Sequence, residues 1–148
     1  MSAPTPTFGT QIIGQTEKAL NAILDRQLAG TDLTEPQWVA LTIAVISGGT
    51  DDRAAFSSRV ARALKISDVE AQALIAELSA RMLLDVPDTD GAPVGPTDAG
   101  SQLYGRIRTA IAGITDRLWG DLAPEDLTVA GRVLGTVLER ANAELARG

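Results

Sequence analysis

The sequence contains neither cysteine nor histidine. Without cysteine there is no disulfide framework and no thiol redox sensor. Without histidine the chain lacks the commonest metal ligand and the usual general base at neutral pH. Aromatic residues are scarce, at 3%, so the core must be built from Leu, Ile, Val and Ala. No apolar run approaches the roughly 20 residues of a membrane span, and no signal peptide is visible. The expected compartment is therefore the cytoplasm, with no membrane partner. The carboxylates fall in loops and near helix termini, where acids usually serve caps and helix dipoles. No paired acid–base site and no Gly-rich phosphate loop stands out, so no enzymatic activity, metal or cofactor is expected.

What is present suits one folded domain. The chain has 148 residues, 45% of them apolar, enough for a real core without disulfides or metals. The net charge of −6 argues against nonspecific nucleic-acid binding by the chain as a whole. How that charge is distributed matters more than its sum.

The most informative stretch runs from Phe56 to Leu84. FSSRVARAL places Phe56, Val60 and Leu64 on one helical face. Lys65-Ile66-Ser67 reads as a turn, and Ser67 with Glu70 forms a Ser-x-x-Glu capping box for the next helix. Ala71, Leu74, Ile75 and Leu78 then repeat at the spacing of a buried stripe. Two helices joined this tightly fit a helix-turn-helix. They fit an αα-corner in any all-helical domain equally well.

The flanking segments are also helical. Residues 1–7 read as a flexible Pro/Thr arm. An apolar helical pattern runs from Phe8 to near Gly30. Thr34 and Gln37 form a second capping box, with Pro36 in the first turn, and open a helix apolar over most of its circumference, hence central. Gly48-Gly49 stop it, and Asp51 or Asp52 can cap the helix carrying Phe56. Residues 85–97 hold three prolines and two glycines. Val86 and Val94 flank an Asp90-Gly91 turn, which suggests a short irregular hairpin. Thr97 caps a helix with the stripe Leu103, Ile107, Ile111, Ile114 and Leu118. Pro124, Glu125 and Asp126 open a last helix striped by Leu127, Leu134, Val137, Leu138, Ala141 and Leu145. The first helix and the last two are not needed to complete the middle, so a second copy of the chain is the expected cover for their apolar faces.

From about residue 33 onward the chain resembles the MarR family of winged-helix transcriptional regulators. The resemblance rests on Leu33-Thr34-x-x-Gln37, on Val60-Ala61-x-x-Leu64-x-Ile66-Ser67, on Ala71, Leu74, Ile75 and Leu78, and on Val94-x-x-Thr97-x-x-Gly100. It implies a mainly α protein: a winged helix-turn-helix lobe over 33–100 with a short β-hairpin wing, and dimerisation helices over 8–30 and 101–148, within a single domain of residues 8–148. It further implies a homodimeric, cytoplasmic regulator that binds double-stranded DNA and responds to a small phenolic or other anionic ligand, without enzymatic activity.

The charges complicate that expectation. Residues 66–100 hold seven acids (Asp68, Glu70, Glu77, Asp85, Asp88, Asp90, Asp98) and one base, Arg81, a net of −6. Residues 51–65 hold four bases (Arg53, Arg59, Arg62, Lys65) and two acids, a net of +2. The exposed face of the second helix is expected at Ala73 and Glu77, neither of them basic, and the wing has no Asp-x-Arg. The candidate DNA contacts are therefore Ser57, Ser58, Arg59, Arg62 and Lys65 toward phosphates, and Gln72, off the buried stripe, toward adenine. A solvated helix face accounts for the four bases equally well, and an ordinary surface polar residue accounts for Gln72 more simply than a base contact. For a ligand, Trp38, Trp119, Arg106 and Arg108 are in principle available, although core packing explains the tryptophans more simply and no ligand-binding residue is assigned. The alternative function is a winged-helix module that has lost duplex binding and works through a protein or a ligand.

Overall fold

The computed structural model describes residues 4–148. Residues 1–3 of the expected arm lie outside the described residues, and residues 4–7 have no regular secondary structure. The chain divides into two compact units, Met1–Ile111 and Ala112–Gly148.

The first unit is a helical lobe around α2, Glu35–Ser47. Thr34 and Gln37 form the full capping box, each side chain accepting from the other residue's backbone N–H, at 3.3 and 3.1 Å. Gly48 ends the helix in the left-handed region at φ 63°, where a residue without Cβ carries no steric penalty. Trp38, Ala40, Leu41 and Ala44 are buried, and Trp38 stacks on Tyr104 with ring centroids 5.3 Å apart. Around α2 pack α1 (Thr10–Leu28), α3 (Arg53–Leu64) and α4 (Asp68–Ala80).

The α3–α4 pair has the expected caps, with one difference. Asp52, not Asp51, caps α3, accepting from Ala55 N at 2.9 Å. Lys65 takes a left-handed conformation at φ 59°, which turns the chain in two residues. Ser67 caps α4 by accepting from Glu70 N at 3.1 Å. The reciprocal half of that box is replaced: the Glu70 carboxylate accepts from the Ser67 hydroxyl at 3.1 Å instead of from the backbone. Phe56, Val60, Ala71, Ile75 and Leu78 close the core between the two helices.

The hairpin is shorter than the sequence suggests and starts one residue earlier. β1 (Leu84–Asp85) pairs antiparallel with β2 (Gly95–Pro96) over two residue pairs. The prolines cannot donate to a longer ladder. The returning arm pairs with the start of α3 instead: Val94 N donates to Asp51 O at 2.8 Å, and Pro93 bridges Asp52. Gly91, at φ 82°, makes the tip.

The hairpin is tied to α5 (Asp98–Trp119) through Thr97. Its Oγ1 accepts from Gly100 N at 3.0 Å and donates to Met82 O at 2.6 Å. Gly100 lies so close to the Leu83 carbonyl that a Cβ there would collide with its oxygen and sit 3.1 Å from its carbon. Leu103 and Ile107 of α5, with Leu28 of α1, complete the core, so these two helices are needed by the lobe, contrary to the expectation that the middle closes without them.

The second unit holds the end of α5 and α6, Pro124–Arg147. No residue of α6 is buried, and Val129, Val133, Leu134, Val137, Leu138 and Leu145 are exposed.

Candidate nucleic-acid interface

At 3.6 residues per turn, Val69, Gln72, Ala73 and Ala76 share an arc of about 100° on α4. All four are exposed, Val69 at 75%. The opposite arc carries Ala71, Ile75 and Leu78, all buried in the lobe. The acids of α4 lie to either side of the outward arc, and two of them have internal partners. Glu70 is bonded to Ser67, as above. Glu77 accepts from Gln37 Nε2 at 2.8 Å, which ties α4 to the start of α2. Glu77, expected on the outward face with Ala73, therefore sits on its flank in a structural bond. Only Ala73 of that pair faces outward.

The six candidate residues separate into different environments. Gln72, Ser58 and Arg62 are exposed. Lys65 is exposed and donates through Nζ to Arg62 O at 3.0 Å, capping the end of α3. Arg59 is half-exposed, but its Nε and Nη2 grip the nearly buried Asp51 at 2.7 and 3.2 Å. That hydrogen bond and the Asp51 charge raise the Arg59 pKa. A guanidinium so engaged is oriented by the protein first, with less of its donor fork left for a phosphate.

Ser57 departs furthest from the expectation. It is only 3% exposed, and its Oγ has no hydrogen-bond partner. A hydroxyl buried there cannot meet a phosphate on the surface. It lines a groove of about 530 Å³ together with Arg53, Gln72, Ile75, Ala76, Ser79, Val86 and Asp88.

Two residues of this face were not singled out by sequence reasoning. Val69 is apolar, and apolar residues are read as inward by default. Its phase, off the stripe of Ala71, Leu74, Ile75 and Leu78, is the signal that shows otherwise. Arg53 was counted as a charge, but nothing local links it to Gln72; the groove brings them together.

A second cavity, about 480 Å³, is lined by Gln27, Gly30, Thr31, Arg81, Leu103, Arg106, Ile107 and Ala110. Arg81 is fixed there by donating to the Thr31 and Asp32 carbonyls at 3.1 and 2.9 Å. Arg106 thus joins a second arginine, whereas Arg108 is not among the lining residues. Trp38 is a core residue stacked on Tyr104, and Trp119 is exposed in the second unit.

Comparison with known proteins gives a fold but no sequence relative. No family model matches the chain, and no curated protein matches its sequence. Solved structures match over nearly the whole length. A MarR family transcriptional regulator from Silicibacter pomeroyi superposes with a TM-score of 0.77 at 18% identity, over 91% of this chain and 90% of that one. A MarR protein from Peptoclostridium difficile gives 0.75 at 16% identity, over 97% of each chain. MepR of S. aureus, in a structure of its DNA complex, gives 0.73 at 17% identity, over 90% of this chain and 96% of that one. The fold is the winged helix-turn-helix of MarR family transcriptional regulators, with six helices and a short two-stranded hairpin among the described residues.

Proposed function

We propose that the protein is a homodimeric transcriptional regulator that binds double-stranded DNA through α3, α4 and the hairpin. The observation that carries this reading is the outward arc of α4. It is free of acids although the surrounding segment is strongly acidic, because the helical phase places Asp68, Glu70 and Glu77 on its flanks, where Glu70 and Glu77 are bonded to Ser67 and Gln37. A capped, exposed, uncharged helix face that shares a groove with Arg53 and follows the turn carrying Lys65 suits base contact flanked by phosphate contact. MepR, of the same fold, is solved on DNA. Within this reading Ser58, Arg62, Lys65 and Gln72 remain contact residues, Arg59 contributes in part, and Ser57 is replaced by Arg53.

Residues 33–100 form the DNA-binding lobe in this reading, and residues 8–30 and 101–148 supply the dimer helices. A small phenolic or other anionic ligand has a matching environment between Arg81 and Arg106. Binding there would act by favouring one lobe arrangement over another. The protein would work in the cytoplasm.

One observation favours a second reading. Asp68, Asp85, Asp88, Asp90 and Asp98 are exposed around the hairpin and the two helix starts, which suits a basic protein partner better than a phosphate backbone. Selection distinguishes the two. Genomic fragments are incubated with the protein at low salt, and retained fragments are sequenced. A recovered palindrome supports the regulator. Its salt slope, about 0.9 per phosphate neutralised, counts the contacts. No enrichment by the folded protein favours the module that has lost DNA binding.

A further inference from the structure

The outward arc of α4 is selective in what it lacks. The helix DVEAQALIAELSA contains no Lys or Arg, the side chains that read guanine O6 and N7 bidentately. Its arc also has no carboxylate to accept from the cytosine amino group. What it does present is three aliphatic side chains, Val69, Ala73 and Ala76, and one carboxamide, Gln72. Aliphatic groups complement the thymine 5-methyl, and a glutamine pairs bidentately with adenine N6 and N7. The aliphatic side chains are short, so the helix backbone can approach the groove floor closely. Val69 and Ala76 lie about 10 Å apart along the helix axis at 1.5 Å per residue, the length of about three base-pair steps at 3.4 Å.

We infer that this face reads an A·T-rich stretch of the major groove, with Gln72 on an adenine and Val69, Ala73 and Ala76 against thymine methyl groups. The inference rests on the DNA-binding reading above and adds the base class that the site selects. Val69 is the specificity residue with the largest apolar surface, and Gln72 is the only hydrogen-bonding reader on the arc. Arg53, Arg62 and Lys65 hold the backbone and carry no base preference.

The test uses the full chain and a pool of randomised duplexes, followed by thymine-to-uracil replacement in the best half-site. Uracil pairs as thymine does but lacks the 5-methyl. The expected result is an A·T-rich half-site, with affinity falling about fourfold for each buried methyl removed. Val69→Ala should shrink the uracil effect at one position. Gln72→Ala should cut discrimination at one A·T pair on the order of tenfold. Both residues are exposed, so circular dichroism should be unchanged. A G·C-rich half-site, or indifference to uracil while binding persists, overturns the base-class inference and leaves the regulator standing. Failure to retain any duplex at low salt, with the chain folded, overturns the DNA-binding reading and this inference with it.

Discussion

Helices α4 and α6 both carry an aliphatic stripe in the sequence, but they use it differently. α4 is 13 residues long and buries Ala71, Ile75 and Leu78 in its own lobe. α6 is 24 residues long and buries nothing. Leu138, at 61% exposure, and Leu145, at 66%, stand at the end of a row that a soluble monomer rarely leaves open. The periodicity is therefore not a measure of where stability comes from. The lobe closes on contacts within one chain. The α6 stripe has the pattern of a core without the core, and the proposed homodimer assigns it to a second copy.

The difference can be broken from the lobe side first. Phe56 is fully buried between α3 and α4. Phe56→Ala should cost about 3–5 kcal/mol. Its effect on thermal unfolding should be the same at every protein concentration, because the lost contacts lie within one chain. The α6 side should behave otherwise. Leu138→Glu removes about 1.5–3 kcal/mol of apolar burial per copy if a second copy covers the stripe. It should shift sedimentation mass to the monomer and abolish the concentration dependence of the melting temperature. A wild-type chain that sediments as a monomer at micromolar concentration sinks the assignment of α6 to dimerisation.

A smaller effect separates backbone approach from side-chain packing. Gly100→Ala places a methyl group against the Leu83 carbonyl. Neither backbone can yield without moving the hairpin, so the cost should be about 1–3 kcal/mol. Native-state hydrogen exchange should show protection lost at Thr97 N, which bonds Leu83 O at 3.1 Å. Unchanged protection there would mean that α5 shifts as a rigid body and that the hairpin is not registered by this contact.

Much of the lobe was legible because its signals are local. Thr34, Ser67 and Thr97 cap helices three residues away or less, and each does so as the spacing predicts. The buried stripe of α4 follows from period alone. What was illegible depends on partners far apart in sequence or on a face wider than its stripe. Glu77 meets Gln37 forty positions away. Arg59 meets Asp51 around the start of α3, a pair invisible to a count of charges. Ser57 is buried because the inward face of α3 is broad enough to take Phe56, Ser57, Val60 and Ala61 together. The net −6 of residues 66–100 was correct as a count and misleading as a picture of the outward arc of α4, since helical phase puts all three acids of that helix on its flanks.

The smallest expected effects concern the helix starts, where the two regions differ again. α2, α3 and α4 are each capped by a side chain, from Thr34, Asp52 and Ser67. α1 and α6 begin at Gly9 and Ala123 with no side-chain cap. Caps fix where a helix begins without help from tertiary contacts, so the lobe helices are specified locally. Asp52→Ala should cost about 1 kcal/mol, read as a fall in the denaturant midpoint at unchanged slope. Ala123→Asp should act in the opposite direction. It supplies an acceptor for the free N–H groups of the first turn of α6, worth about 0.5–1 kcal/mol. The gain should be smaller than the Asp52 loss, because Glu125 and Asp126 already crowd that turn with negative charge. If α6 forms only on pairing with a second copy, the Ala123→Asp gain appears as tighter dimerisation. If α6 is stable in the single chain, the gain appears in unfolding of the monomer and the dimer constant stays fixed.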